Sequence, residues 1–355
     1  MMLDTETVRK QIERGELLQE CDISHLDLRG WDVSGAIFSQ VDMHGIDFTG
    51  CNLKEAVFNE CQLDDCYFGQ QRLHQTLFNE CGLERANFSK CYIEQGTFNK
   101  CRLNDASFKE ASLDTTQFMN SQLERSDLSI SKQDRVVFCE TALSQTTLAQ
   151  SQLSLVTFFG LDLRETDLHA CQFDRAIFFE CNHQGKSYRG QQFIACQFAD
   201  NLLDDADFSQ TTLRQCNFKG ASLKRAQFSG AQAQQTLWLE ADLTQAQCQR
   251  GQFDQAIFSE ATLKTADFSH AHLYQCIFQY SRSAGCNFSD SDLTYADFSY
   301  ADIGAADFRR ARFVRTRIHR AHQQHTRWND RVGILDCDDE LYAAETWSAQ
   351  RDSRV

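Results

Sequence analysis

The sequence predicts a solenoid built from short, identical units, and two regularities carry this prediction. From Ile23 to Ile318 every fifth residue is large and apolar with five exceptions, and the phase never slips. Two residues before most of the large residues stands a small one, as at Ala36 and Cys51. A unit this short cannot bury its apolar side alone, so neighbouring units must stack. A strict period of five also excludes the spacings of an amphipathic helix and of an alternating strand.

The aromatic residues follow the same register. Of the 28 Phe in the chain, 26 stand at the large position, and the exceptions are Phe159 and Phe179. Five register positions are not large and apolar: Gln133, His183, Ala233, Cys248 and Ser283.

Units such as Ala206-Asp207-Phe208 and Ala266-Asp267-Phe268 resemble the pentapeptide-repeat family, and the resemblance covers about 85% of the chain. It implies an all-β solenoid, a right-handed quadrilateral β-helix in which four pentapeptides make one square coil. The small and large side chains would both point inward. Sixty units would give about fifteen coils, with short helical caps at both ends.

The boundaries of the repeat divide the chain into three expected parts. Residues 1–20 would form an N-terminal helical cap, with Asp4 and Thr5 at its start, Val8 and Ile12 on one face, and Gly15 at its end. Residues 21–321 would form the β-helix, with the pattern ending after Ile318. Residues 322–355 would form a C-terminal segment containing a helix at 334–350, which either caps the last coil or dimerises.

Within the predicted coil, residues twenty apart stack on one another. Phe then dominates two opposite faces and Leu the other two. The misfits Gln133, His183, Ala233 and Ser283 all fall on the Leu faces, where we expect a loosened or hydrated coil.

Composition narrows the class of function. The chain has no Pro, which suits a ladder that needs its backbone donors. Thirteen of the 16 Cys occupy the small inward position, where we interpret them as small buried hydrophobes, and free thiols favour a reducing compartment. Without a secretory leader or an apolar run of membrane-spanning length, we expect a cytoplasmic protein without a membrane segment.

Charge and motifs argue against an enzyme. A net charge of −15 disfavours direct nucleic-acid binding, although it permits an acidic protein to occupy a DNA-binding surface. No catalytic, cofactor or metal motif is found; His319, His322 and His325 would not share one helix face. We therefore predict no cofactor and no catalytic site.

One outward face is unusually apolar and is the candidate protein-binding face. Its residues directly precede or follow one column of large residues: Met119, Val137, Cys139, Phe159, Ile177, Phe179, Leu237, Leu239, Ile257 and Ile277. Exposed apolar area often marks a binding surface. The alternatives are that β-branched residues merely suit strands, or that a terminal helix covers the face. Strand preference does not require Phe159 and Phe179.

A column of acidic residues borders this face: Glu60, Glu80, Glu140, Glu180, Asp200, Glu240 and Glu260, with Glu20 at its start. It is either a solvated face, with repulsion relieved by neighbours such as Lys100, or a mimic of duplex DNA. Two amide columns, Asn59-Asn79-Asn99 and Gln215-Gln235-Gln255-Gln275, are predicted to hydrogen-bond along the axis.

The predicted function is a non-enzymatic scaffold that presents an apolar and acidic face to a protein partner. The segment from Val8 to Glu16, followed by Leu26-Asp27-Leu28-Arg29-Gly30, resembles pentapeptide proteins associated with bacterial type VI secretion, which implies an adaptor role. The alternative is a DNA mimic that binds DNA gyrase or topoisomerase IV, as quinolone-resistance pentapeptide proteins do. Here no loop interrupts the register, so the loop-dependent part of that mechanism does not transfer. With either function, the protein would act as a monomer or as a homodimer.

Overall fold

The computed structural model describes residues 2–352, without the side chains of residues 350–352. The chain forms two compact units, the first ending at Asn182 and the second beginning at His183. In the described part of the first unit the regular elements are α1 (Thr5–Glu13), β1 (Leu18–Gln19), β2 (Ile37–Ser39), β3 (Val57–Asn59), β4 (Arg72–His74), β5 (Leu77–Asn79), β6 (Tyr92–Glu94), β7 (Thr97–Asn99), β8 (Ser112–Asp114), β9 (Gln117–Met119), β10 (Lys132–Asp134), β11 (Val137–Cys139), β12 (Gln152–Ser154), β13 (Thr157–Phe159), β14 (Gln172–Asp174) and β15 (Ile177–Phe179).

The strands of the first unit form two parallel sheets. The first has the order β1-β2-β3-β5-β7-β9-β11-β13-β15, and the second contains β4-β6-β8-β10-β12-β14 in sequence order. Partners in each pair are 20 residues apart, as with Val57 and Leu77. Four five-residue segments therefore complete one coil.

In the described part of the second unit the regular elements are β16 (Gln192–Ile194), β17 (Thr316–Arg317), β18 (Ile334–Leu335) and α2 (Asp339–Asp352). Between β16 and β17 the same 20-residue register continues as single parallel bridges, such as Leu237 with Ile257. Both units are parallel β-solenoids, and the chain completes about 16 turns with one short helix near each end. The predicted solenoid fold is confirmed.

The corners of each coil are tight turns with a left-handed residue. Gly35 has φ +65° and Glu60 has φ +52°, and positions ending in 0 or 5 repeat this conformation along both units. At one such corner the Ala36 N–H donates to the Val33 carbonyl at 3.1 Å, which with a positive φ at Gly35 makes a type II turn. Non-glycine residues at most corners accept a conformational cost of about 1–2 kcal/mol each because the corner closes the coil.

The aromatic core is arranged as predicted. Within one column the rings stack, as in Phe78 and Phe98 at 4.9 Å between centroids and 5° between planes. The two Phe columns meet edge to face inside the coil, as in Phe88 and Phe98 at 5.5 Å and 87°. Both geometries are favourable for aromatic pairs.

The cysteines at the small position are buried, which confirms their interpretation as core residues. The Cys66 thiol donates to the Met43 carbonyl at 3.0 Å. Burial raises the pKa of Cys66 and of Cys91 to about 12. These thiols are therefore protonated and unreactive at neutral pH.

The backbone ladder stays closed at the four misfits, so the coil is not loosened there, whereas a hydrated coil at these positions stays a prediction. Gln133 pairs in register with Leu113 and Leu153, and it is buried with its amide donating to the Ser131 hydroxyl. The N–H groups of the other three donate to the next coil at 2.7–2.8 Å: His183, Ala233 and Ser283. The backbone ladder is independent of the inward side chain, so a smaller or polar residue does not open it.

The two ends differ in how well they were predicted. Helix α1 has Asp4 as its N-cap and is followed by Gly15 at φ +66°, as expected, and Val8 is fully buried. At the other end the repeat does not stop at Ile318. Arg327 bridges to Asp307, and Trp328 stacks on Phe308 at 4.5 Å.

The predicted helix at 334–350 begins later than expected. Ile334 and Leu335 form β18 and pair with Thr316 and Arg317. The helix starts at Asp339, where the side chain of the preceding Asp338 accepts a hydrogen bond from the Leu341 N–H at 3.1 Å. This capping interaction fixes the start of α2 at a position that periodicity alone does not indicate.

Replacing Ile130 by Asn should stabilise the protein. Ile130 is 47% exposed and β-branched, yet it has φ +58°. Asn adopts this conformation more readily, so we expect about 1 kcal/mol of added stability. The midpoint of urea unfolding, monitored by circular dichroism, tests this expectation. The matched control is Gln150→Asn at the next corner, φ +61°, where the change should be smaller. A midpoint at or below wild type for Ile130→Asn would contradict the strain argument.

Candidate functional site

The apolar residues predicted in the first unit lie together on the sheet that runs from β1 to β15. Strand pairing aligns Met119, Cys139, Phe159 and Phe179 in one outward column. A second column places Val137 and Ile177 on either side of Thr157. These two columns are called the apolar face below.

Exposure is concentrated at one end of the apolar face. Phe179 is 40% exposed and Ile177 is 41% exposed, so the alternative in which a terminal helix covers the face does not hold for these two residues. Phe159 is half-buried because its ring stacks on Phe179, with 5.6 Å between centroids and 11° between planes. Two aromatic rings are thus held side by side on paired strands.

Leu155 extends the apolar face and was missed by the sequence analysis. It is a corner residue with φ +54°, it directly precedes the coil segment that contains β13, and it is 37% exposed. Most other corner residues of this column are polar. A Leu at a position ending in 5 could therefore have identified Leu155 from the sequence.

The corner residues before Leu155 and after it in this column are arginines, and both are paired with carboxylates. Arg135 binds Asp114 and Asp134 at 2.7 and 2.9 Å, and Arg175 binds Asp174 at 2.8 Å. These guanidinium groups are therefore neutralised within their own surface.

The candidates in the second unit are one column of three residues together with Leu239. Bridges join Leu237 to Ile257 and Ile257 to Ile277, and the column continues with Asp297. All three apolar residues, and also Leu239, are half-buried. None of these residues is as exposed as Ile177 or Phe179, which leaves the first unit as the stronger candidate.

The acidic column separates into two kinds of member. Glu80 pairs with Lys100 at 3.0 Å, as predicted, Glu240 lies 3.6 Å from Lys219, and Glu60 accepts from the Gln40 amide at 2.9 Å. In the described chain, the side-chain carboxylates of Glu140 and Glu180 make no hydrogen bond or ion pair. These two carboxylates border the apolar face.

The amide columns form the predicted ladders. The Asn79 amide donates to Asn59 at 2.6 Å, and the Asn99 amide donates to Asn79 at 2.7 Å. In the second unit the corresponding distances along the glutamine column are 3.0–3.1 Å. These amides satisfy one another, which supports a structural role.

The helix α2 is attached mainly through one carboxylate. Glu345 accepts hydrogen bonds from the Tyr300 hydroxyl and from Arg320, and His319 lies 3.4 Å from it. The Tyr300 and Arg320 hydrogen bonds lower the pKa of Glu345. Leu341 and Glu345 are partly covered, whereas Tyr342 is exposed.

The three histidines near this end do not form a metal site. They lie in the last coil, with His319 buried beside Glu345 and His322 bonded to Asp302 at 2.9 Å. Among the described residues no group of three or more His, Cys, Asp or Glu side chains has metal-binding geometry. Within the same residues, no helix has the length and apolar character required to span a membrane.

Family comparisons agree with the coil geometry. A model described as a pentapeptide repeat region matches residues 71–142, and a model of eight pentapeptide repeats matches 17–55, 202–237, 240–279 and 284–310. Together they cover more than half of the chain. A search of curated proteins finds no match.

Several solved structures are similar to this chain. QnrB1, a plasmid-mediated fluoroquinolone resistance protein, is 18% identical over 59% of this chain and 93% of its own, with a TM-score of 0.32. HetL, involved in heterocyst differentiation regulation in the cyanobacterium Nostoc sp. strain PCC 7120, is 16% identical over 80% and 96%, with a TM-score of 0.20. A thylakoid-lumen protein of Arabidopsis thaliana is 30% identical over 32% and 70%, with a TM-score of 0.13.

The five-residue register, the inward small and large positions and the parallel coils define a parallel β-solenoid repeat protein. The chain belongs to the pentapeptide-repeat family.

Replacing Glu140 by Gln should make Cys139 more reactive. Partial burial and the Glu140 carboxylate both raise the pKa of Cys139. Removing the negative charge lowers that pKa, so more thiolate is present at pH 8 and alkylation by iodoacetamide should accelerate about twofold. Peptide mass spectrometry gives the rate at Cys139 alone. Glu180→Gln, two coils away, serves as the control. Equal acceleration in both variants would argue against the local effect.

Proposed function

We propose that this chain is a non-enzymatic protein-interaction scaffold whose partner contacts the apolar face and Leu155. The observation that carries the proposal is the stacked pair Phe159 and Phe179 beside the exposed Ile177. Apolar area removed from water contributes about 25 cal/mol per Å², and aromatic residues are frequent binding hot spots. Because paired strands hold these side chains, a partner finds them already ordered, which reduces the entropic cost of binding.

Pentapeptide-repeat proteins are in general structural or interaction proteins, which supports a scaffold over an enzyme. The similarity of the N-terminal segment to type VI secretion-associated proteins makes a secretion component the first partner class, with this chain as an adaptor. The free thiols favour action in the cytoplasm.

The alternative partner is DNA gyrase or topoisomerase IV, bound by a DNA-mimicking acidic column. The unpaired carboxylates of Glu140 and Glu180 favour this alternative. The pairing of Glu80 with Lys100 and of Glu240 with Lys219 weighs against it, because these members present little net charge. The apolar face therefore has the stronger claim.

The scaffold proposal predicts that Phe159→Ser/Phe179→Ser loses its partner. We expect binding to weaken by at least about tenfold, since the change removes the stacked aromatic pair of the apolar face without adding charge. Affinity capture from the native host's lysate, followed by titration of the captured protein, measures this. The matched control is Asn79→Ser/Asn99→Ser in the same sheet and column. Undiminished capture by the Phe variant, with an unchanged circular dichroism spectrum, would remove the apolar face as the site.

The alternative makes a separate prediction. A DNA mimic should inhibit gyrase supercoiling at micromolar concentration, and Glu140→Gln/Glu180→Gln should relieve the inhibition because it removes the bare charges. A gel-based supercoiling assay with purified gyrase is sufficient. Absence of inhibition by the wild type rejects this alternative and leaves the scaffold proposal untouched.

A further inference from the structure

We infer that the partner docks as an amphipathic α-helix lying along the direction of coil stacking, with two basic side chains about seven residues apart. This inference rests on the proposed function, since it names the chemistry of the partner at the same apolar face. Three observations carry it: the paired backbone of the sheet, the two bare carboxylates at its edge, and their spacing.

Strands β11 and β13 of the apolar face are paired on both sides and have no free pairing capacity for an added strand. The Thr157 N–H donates to the Val136 carbonyl at 2.9 Å, and the Glu140 N–H donates to the Phe159 carbonyl at 3.0 Å. β11, β13 and β15 are likewise paired with one another residue by residue. Over β11 and β13 a partner must therefore bind through side chains, as an amphipathic helix does when it lays its apolar face on a hydrophobic surface.

The edge of the apolar face that carries Glu140 and Glu180 favours a partner with positively charged side chains. Glu140 and Glu180 have no cation in the described chain, and Gly160 stands at the corner between them. On the opposite edge Arg135 and Arg175 are neutralised by their own aspartates. The face thus presents an apolar strip with one acidic border, which complements an apolar stripe flanked by Lys or Arg.

The spacing favours a helix over an extended segment. Glu140 and Glu180 are two coils apart, which is about 10 Å at the usual separation of paired strands. Seven residues of an α-helix rise about 10.5 Å and return to nearly the same side. Same-side residues of an extended chain recur about every 6.7 Å and match neither one coil nor two. Apolar residues three and four positions after the first basic residue would then lie at the height of Phe159, and apolar residues flanking the second basic residue at the height of Phe179.

The test uses two fluorescein-labelled helical peptides of identical composition. Both carry a Leu stripe; one has Lys at two positions seven apart beside the stripe, and the other has the same Lys residues on the opposite side of the helix. Fluorescence anisotropy with the full-length protein measures affinity in low and in moderate salt. We expect the first peptide to bind at least about fivefold more tightly in low salt, with the difference shrinking as salt screens the exposed pairs.

A charge-matched pair of variants locates the effect. Glu140→Gln/Glu180→Gln should weaken the first peptide about fivefold, whereas Glu60→Gln/Glu80→Gln, an equal charge change in the same column beside the asparagine ladder, should change it less than twofold. Equal binding of the two peptides, equal effects of the two variants, or no binding of either peptide would overturn the inference.

The outcome is separable from that of the proposed function. If Phe159→Ser/Phe179→Ser loses the native partner while the peptides show no preference, the scaffold stands and the helical partner is wrong. If that variant keeps the native partner and binds the first peptide as wild type does, both proposals fail.

Discussion

The hydrogen-bond ladder between successive coils is the constraint on which the rest of this structure depends. The Leu103 N–H donates to the Gln122 carbonyl at 2.7 Å, and the Gln122 N–H returns to the Cys101 carbonyl at 2.9 Å. Repetition of this exchange fixes the coil at 20 residues, because one extra residue would displace every later inward side chain. The left-handed corners follow from it, since the chain must turn four times per coil. The absence of Pro among 355 residues preserves the donors that the ladder requires.

This constraint makes the surface a set of columns. Each outward side chain lies beside the residues twenty positions before and after it. The identity of these two neighbours decides which interactions the side chain makes. Arg125 binds Asp105 in a corner column, whereas Asn79 continues an amide ladder. Phe159 and Phe179 are adjacent in one column for the same reason. A functional surface in such a protein arises when neighbouring columns carry matching residues in the same few coils.

Features that repeat every five or twenty residues could be predicted from the sequence, because the hydrogen-bond ladder places residues twenty apart in contact with each other. The Phe stacks, the buried cysteines and the amide ladders follow in this way. Features decided by single residues could not. Trp328 continues the coil although its neighbours are polar, and Asp338 fixes the start of α2. Leu155 joins the apolar face from a corner that is polar in most coils, and Gln133 leaves the ladder closed because backbone pairing does not depend on its side chain.

Repulsion between stacked carboxylates in the acidic column is reduced in two ways: by pairing with neighbouring side chains and by wider spacing. Glu60 and Glu80 stand in adjacent coils, about 4.8 Å apart in strand spacing, and Gln40 and Lys100 relieve their repulsion by direct bonds. Glu140 and Glu180 are instead separated by Gly160. Doubling the distance halves the repulsion before salt, whose screening length is about 10 Å, reduces it further. The first arrangement pairs the charge within the protein, whereas the second leaves the carboxylates of Glu140 and Glu180 unpaired along the edge of the apolar face.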